Sequence, residues 1–144
     1  MLAHPDPRDP MLLRTALRAN AAFSTATGIG MLLAPAAAGA LLGVDAPWVL
    51  RGIGLALLIF AVDLVWFSRS ERTLRTIGQA AVAGDAAWVL GTLALATLMP
   101  GLLSTSGWMM AAGVALAVGG FAVAQALGLR RLAAPAPTPA PTQR

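Results

Sequence analysis

Long apolar runs alternate with short polar breaks along this chain, and the runs have nearly one length. Four stretches, about residues 11–34, 47–68, 76–99 and 107–129, are predominantly apolar. Each approaches the roughly 20 residues with which an α-helix crosses about 30 Å of hydrocarbon. The pattern predicts an all-α integral membrane protein, an antiparallel four-helix transmembrane bundle. Residues 1–10 form a proline-rich arm before it, and residues 133–144 a tail of Ala, Pro and Thr after it. Proline lacks the backbone donor and fixes φ, so neither flank favours a helix, and the tail suits an extended polyproline-like form.

The breaks supply the punctuation. Pro35 ends the first run. Ala36 to Gly43 is apolar but too short to cross, and predicts an interfacial helical turn. Asp45-Ala46-Pro47 reads as a helix start, with Asp45 as cap and Pro47 in the first turn. Arg69-Ser70-Glu71-Arg72 and Gly101 to Gly107 are short connections, so the runs they join are expected to be antiparallel neighbours. Trp48, Trp66 and Trp108 fall near run ends, where indoles favour headgroup depth.

Charge then orients the layout. Nine of the ten basic residues, Arg8, Arg14, Arg18, Arg69, Arg72, Arg75, Arg130, Arg131 and Arg144, flank the runs on one side; only Arg51 lies on the other. Arginine-rich flanks stay in the cytoplasm, which predicts cytoplasmic N- and C-termini. The net charge of +4 is spread over three membrane-flanking sites rather than one patch. Anionic lipid headgroups, not nucleic acid, are the expected partners of these arginines.

Composition narrows the classes further. Apolar residues make up 58% of the chain and charged residues 11%, against about 25% charged in a soluble domain. Without cysteine, disulfides, thiol catalysis, iron–sulfur clusters and thiolate metal sites are excluded. His4, the single histidine, lies in the arm, so no haem ligation, metal cluster or Ser-His-Asp triad is expected within the runs; neither a cofactor nor enzymatic activity is predicted. Abundant Ala, Gly and Arg without Lys or Tyr suit a GC-rich bacterial genome, and hence a multi-pass protein of the bacterial inner membrane. Arg14 and Arg18 before an apolar run that ends in small residues resemble a signal peptide, but the run is long for one, and it is read as a retained first span.

Against this background a few polar residues stand out. Asp85 lies near the middle of the third run, where an acid costs about 2.5–3.5 kcal/mol to insert and usually faces the interior. It is either a proton- or cation-linked coupling site or an interhelical hydrogen-bonding anchor. Asp63, nearer the inner side, is expected to pair with Arg18, with Arg75 as competitor. Arg51 is expected to snorkel, with pairing to Asp45, binding of a lipid phosphate or an outer cavity as alternatives. Asn20, Ser24, Thr27 and Gln79 are candidates for a polar path toward Asp85, although Ser and Thr also bond their own helix backbone.

Small residues repeat every four positions as Ala22/Ala26/Gly30, Ala83/Ala87/Gly91 and Gly120/Ala124/Gly128. Such seams let membrane helices approach closely. Gly28-Ile29-Gly30 and Gly52-Ile53-Gly54 follow no strand and are not phosphate loops. Leu50-Arg51-x-Ile53-Gly54, followed by Asp63-x-x-Trp66, is echoed by Leu74-Arg75-x-Ile77-Gly78, followed by Asp85-x-x-Trp88. Two non-enzymatic functions remain open at this level, and a membrane enzyme built on Asp85 with Ser24 or Thr27 is the third reading. One is a binding or accessory subunit, self-associated or docked to a larger membrane complex. The other is a small transporter or channel, with Asp85 as coupling group and Asp63/Arg18 as inner gate.

Overall fold

The computed structural model describes residues 10–133; the two proline-rich flanks fall outside that range, apart from Pro10 and Ala133. Five α-helices follow in order: α1 (Met11–Leu33), α2 (Pro35–Leu42), α3 (Pro47–Phe67), α4 (Glu71–Leu98) and α5 (Thr105–Leu132). A single 3₁₀ turn, Pro100–Leu102, precedes α5. No strand occurs among the described residues.

Three helices, α3, α4 and α5, are long and apolar enough to cross a membrane. The first run differs from expectation. It is a bent pair, in which α1 and α2 meet at 102° across Ala34, and only together do they qualify as a fourth candidate span. Asn20, Ser24, Thr25 and Thr27 dilute the apolar character of α1. The exposed side chains of the other three include Ile59, Val62, Leu90, Leu93, Leu116 and Val123. A helix that is apolar all round suits hydrocarbon surroundings, and the fold is consistent with a membrane protein.

The helix ends mostly follow the punctuation. Pro35 and Pro47 open α2 and α3 at a position that needs no intrahelical donor. Asp45 does not cap α3: the N-cap is Ala46, without a side-chain hydrogen bond. One residue too many separates Asp45 from the first turn. α4 begins at Glu71, earlier than the apolar run, because helix geometry tolerates Arg72 and Arg75 even where hydrocarbon does not. α2 ends at Gly43, whose φ of 75° is left-handed; glycine adopts this without the Cβ clash of other residues.

α1 packs chiefly on α3, α4 on α5, and α1 joins the two pairs through α5. Adjacent long helices run antiparallel, as the contact positions show: Gly28 meets Gly54 and Leu58, and Gly128 meets Leu13. α3 and α4, although joined by a short connection, touch only sparsely. The apolar core lies at the end where α1 and α4 begin and α3 and α5 finish. Leu13, Leu17 and Ala21 meet Ala61 and Leu64 of α3 and Leu74 and Ala81 of α4, flanked by Leu129 and Leu132 of α5.

Close approach uses glycines other than the predicted seams. A Cβ on Gly28 would stand 2.7 Å from the Gly54 carbonyl oxygen, and one on Gly54 would stand 2.8 Å from that of Gly28. The two backbones therefore touch directly. Gly128 is similarly blocked by the Leu13 backbone. By contrast Ala22, Ala26 and Gly30, and Ala83, Ala87 and Gly91, lie on exposed faces. The spacing of four was real, but its phase turns these stripes outward. Only Gly128, of the third set, sits in a tight crossing.

At the opposite end α2 is clasped by the start of α5. Ser104 N–H donates to the Leu42 carbonyl at 2.9 Å. The hydroxyls of Ser104 and Ser106 donate to the Leu41 carbonyl at 3.3 and 3.1 Å. Ser104 also caps α5, its oxygen accepting from Gly107 N–H at 3.0 Å. Gly107 lies against the Leu42 carbonyl with no room for a side chain. Trp108 Nε1 donates to the Pro100 carbonyl at 2.8 Å.

Candidate functional site

Polar groups are buried together in one place, just beyond the leucine core. Asp85 of α4 is 4% exposed. It is buried because α4 turns Leu74, Gly78, Ala81 and Asp85 toward its neighbours, a helical spacing of three and four. α1 presents Leu13, Leu17, Asn20 and Ser24 in the same way. The two faces meet, and Asn20 Nδ2 donates to Asp85 Oδ2 at 2.7 Å. Ser24 Oγ in turn donates to Asn20 Oδ1 at 3.3 Å. Each hydrogen in this relay thus points toward the carboxylate.

Gln125 of α5 completes the cluster and is not among the sequence candidates. It is fully buried, its amide within reach of the Asp85 carboxyl. Neither its Nε2 nor its Oε1 makes a hydrogen bond of good geometry. A signal for it exists in the sequence: Gln125 is the only amide, hydroxyl or charged side chain between Trp108 and Arg130. Beside the cluster Phe23 and Phe121 extend the α1–α5 interface, ring centroids 5.7 Å apart and tilted by 59°.

The remaining candidates stand elsewhere. Asp63 is half-buried on α3 and Arg18 is exposed on α1. Among the described residues no ion pair joins Asp63 to Arg18 or Arg75, so the expected pair is not formed. The reason is rotational: α1 turns Leu17 and Asn20 inward, which places Arg18, one position after Leu17, on the outside. Gln79 is exposed, one position past the buried Gly78, and Thr27 makes no hydrogen bond, so the polar path shrinks to Asn20 and Ser24. Arg51 is exposed and forms no ion pair with Asp45. Arg14 is half-buried, its Nε enclosed without a partner.

The echoed motif has a structural counterpart. Leu50 and Gly54 of α3 are buried, as are Leu74 and Gly78 of α4, while Arg51 and Arg75 are exposed. Each glycine admits a neighbour: Gly54 the Gly28 backbone, Gly78 the side chains of Leu13 and Leu129. The correspondence stops at the acids, since Asp85 is buried and Asp63 only partly so. Trp66 is exposed, with the Arg69 guanidinium 5.8 Å above its ring, a cation–π distance.

The described residues contain no group of three or more His, Asp or Glu that would hold a metal ion. Comparison with protein-family models, curated proteins and solved structures finds no match to this chain. Function therefore has to be argued from the site itself.

Proposed function

We propose that this chain is a four-span protein of the bacterial inner membrane, with cytoplasmic termini, that acts as a non-enzymatic binding or accessory subunit in an oligomer or larger membrane complex. The carrying observation is the outward phase of its small-residue stripes. Ala83, Ala87 and Gly91 of α4, and Ala22, Ala26 and Gly30 of α1, offer exposed faces on which another membrane helix can pack closely. The buried relay Ser24–Asn20–Asp85 then serves to fix how α1 meets α4. The orientation rests on the arginines: Arg14, Arg18, Arg69, Arg72, Arg75, Arg130 and Arg131 all belong to one end of the helices and Arg51 to the other.

Native mass spectrometry from gentle detergent tests the assembly. The wild type is expected above monomer mass or with a partner, and Gly91→Leu is expected to reduce that association. A strictly monomeric wild type overturns the proposal. For topology, cysteines placed at residues 4 and 140 are expected to resist impermeant labelling from the periplasm in intact cells. Labelling of either overturns the orientation.

One observation favours a second function. Asp85 is met only by neutral groups, and Gln125 beside it keeps unused bonding capacity. That suits a small proton- or cation-coupled transporter with Asp85 as its coupling residue. Flux through reconstituted vesicles, lost in Asp85→Asn, is its test.

A further inference from the structure

The Asp85 cluster is short of positive charge. An ionised carboxylate can accept about four hydrogen bonds, and Asp85 accepts one of good geometry, from Asn20. Asn20 Oδ1, an acceptor that receives the Ser24 hydroxyl, has no hydrogen to give the carboxylate. The buried amide of Gln125 lies within reach of the carboxyl but makes no hydrogen bond of good geometry at either end. Leaving one buried polar atom unsatisfied costs about 1–3 kcal/mol, and native proteins seldom retain such groups without a role.

No charged side chain of the surrounding helices relieves this. α1 brings only Asn20 and Ser24 to the carboxyl; Arg18 is exposed, and Arg14 lies six positions before Asn20 without contact to Asp85. α3 contributes Phe60 beside Gly84, while its Asp63 makes no ion pair among the described residues and its Arg51 belongs to the opposite end. α5 contributes Gln125, and its Arg130 and Arg131 are exposed more than one turn further on. Among the described residues, then, nothing neutralises the carboxylate.

We propose that Asp85 and Gln125, with Asn20 as positioning residue, form a seat for one monovalent cation between α1, α4 and α5, either a proton or an alkali ion. A proton on the free carboxyl oxygen would make an O–H donor for Gln125 Oε1. An alkali ion would be met by the same two oxygens. In both cases Asn20 holds Oδ2 and leaves the other oxygen to the cation. The seat deepens the coupled-transport function above but is separable from it, because binding is measured without flux.

The test uses the full chain in detergent. The carboxyl band of Asp85 is followed by infrared difference spectroscopy over about pH 4–9, around the ordinary Asp range, and then at fixed pH on addition of Na⁺, Li⁺ or K⁺. Fluorescence of Trp88, one turn from Asp85, is recorded in parallel. The wild type is expected to respond either to pH or to one alkali ion, which tells the two cations apart. Asp85→Asn is expected to abolish the band change. Gln125→Met, close in volume and without the amide, is expected to move the midpoint by about one pH unit, or the alkali-ion affinity by about tenfold, a difference of about 1.4 kcal/mol. Circular dichroism and elution volume identify folded variants. If Asp85→Asn does not fold, the Gln125→Met comparison decides alone. A response in vesicles that show no flux removes the transport function and leaves the seat standing. A carboxyl band silent to pH and to all three ions, or a midpoint indifferent to Gln125→Met, overturns the seat.

Discussion

α5 meets its neighbours in two opposite ways. At its first turn, Ser104 and Ser106 give their hydrogens to the end of α2, and Gly107 lets the two backbones touch. Some five turns later Gln125 is far more deeply enclosed than those serines, yet neither end of its amide makes a hydrogen bond of good geometry. The first contact terminates helices: the carbonyls of Leu41 and Leu42 would otherwise be orphaned at the end of α2. The second terminates nothing, and the chain would pack there with a leucine at less cost. A polar group kept where architecture does not require it points to chemistry; one kept where a helix must end points to structure.

The sharpest way to break this contrast is at the clasp. Gly107→Val drives a side chain into the Leu42 backbone, which cannot swing aside as a side chain can. A loss of about 3 kcal/mol, the upper part of the usual overpacking range, is expected in reversible unfolding. Gly120→Ala, where nothing lies within 4 Å, is expected to stay within about 0.5 kcal/mol of wild type.

Next comes the carboxylate. Asp85→Ala strands the buried Asn20 amide and is expected to cost about 1–3 kcal/mol. A double-mutant cycle with Asn20→Ala is expected to recover part of that loss, since the relay then has no unpaired member. Additive losses would remove the relay from the account.

At Ser104 and Gln125 the two regions predict opposite signs. Ser104→Ala removes a cap and a bond to α2, and is expected to destabilise by about 1 kcal/mol. Gln125→Leu replaces an unmatched amide by a side chain of similar size, and thermal unfolding is expected to show a gain of up to about 1 kcal/mol. Equal losses at the two positions would erase the distinction.

The smallest effect is expected at Asp63 and Arg18. These residues are not paired, so Asp63→Asn and Arg18→Gln should add within about 0.5 kcal/mol. Strong coupling would show that the two find each other in the bilayer.

Much of the helix layout was legible because prolines and run lengths are local signals. Pro35, Pro47 and Pro100 mark real boundaries, since a missing backbone donor acts wherever the residue falls. The right-angled corner at Ala34 was not legible. The end of α2 that follows it is held by Ser104, about 60 positions further along the chain, a contact that no local signal announces. The candidate site was half legible. Asp85, Asn20 and Ser24 emerged from polarity within apolar runs, but Arg18, Gln79 and the small-residue stripes were misplaced by helical phase. Spacing tells which residues share a face, not which face turns inward. Gln125 differs from the amides Asn20 and Gln79 in standing alone, with no other polar residue in its run to mark a shared face, so only the packed structure brings it to Asp85.

The helices are not of one length. α1 and α3, packed together, have 23 and 21 residues, while α4 and α5, the other pair, have 28 each. At 1.5 Å per residue the pairs reach about 32–35 Å and about 42 Å. In the membrane setting proposed here the extra length of the second pair is polar, with Glu71, Arg72 and Arg75 opening α4 and Arg130 and Arg131 closing α5, so it projects past a hydrocarbon slab of about 30 Å into the headgroups. The protein would thus stand taller along the α4–α5 side at its arginine-bearing end, a raised basic rim, and a neighbour reaching for those guanidinium groups would have a preferred side on which to settle.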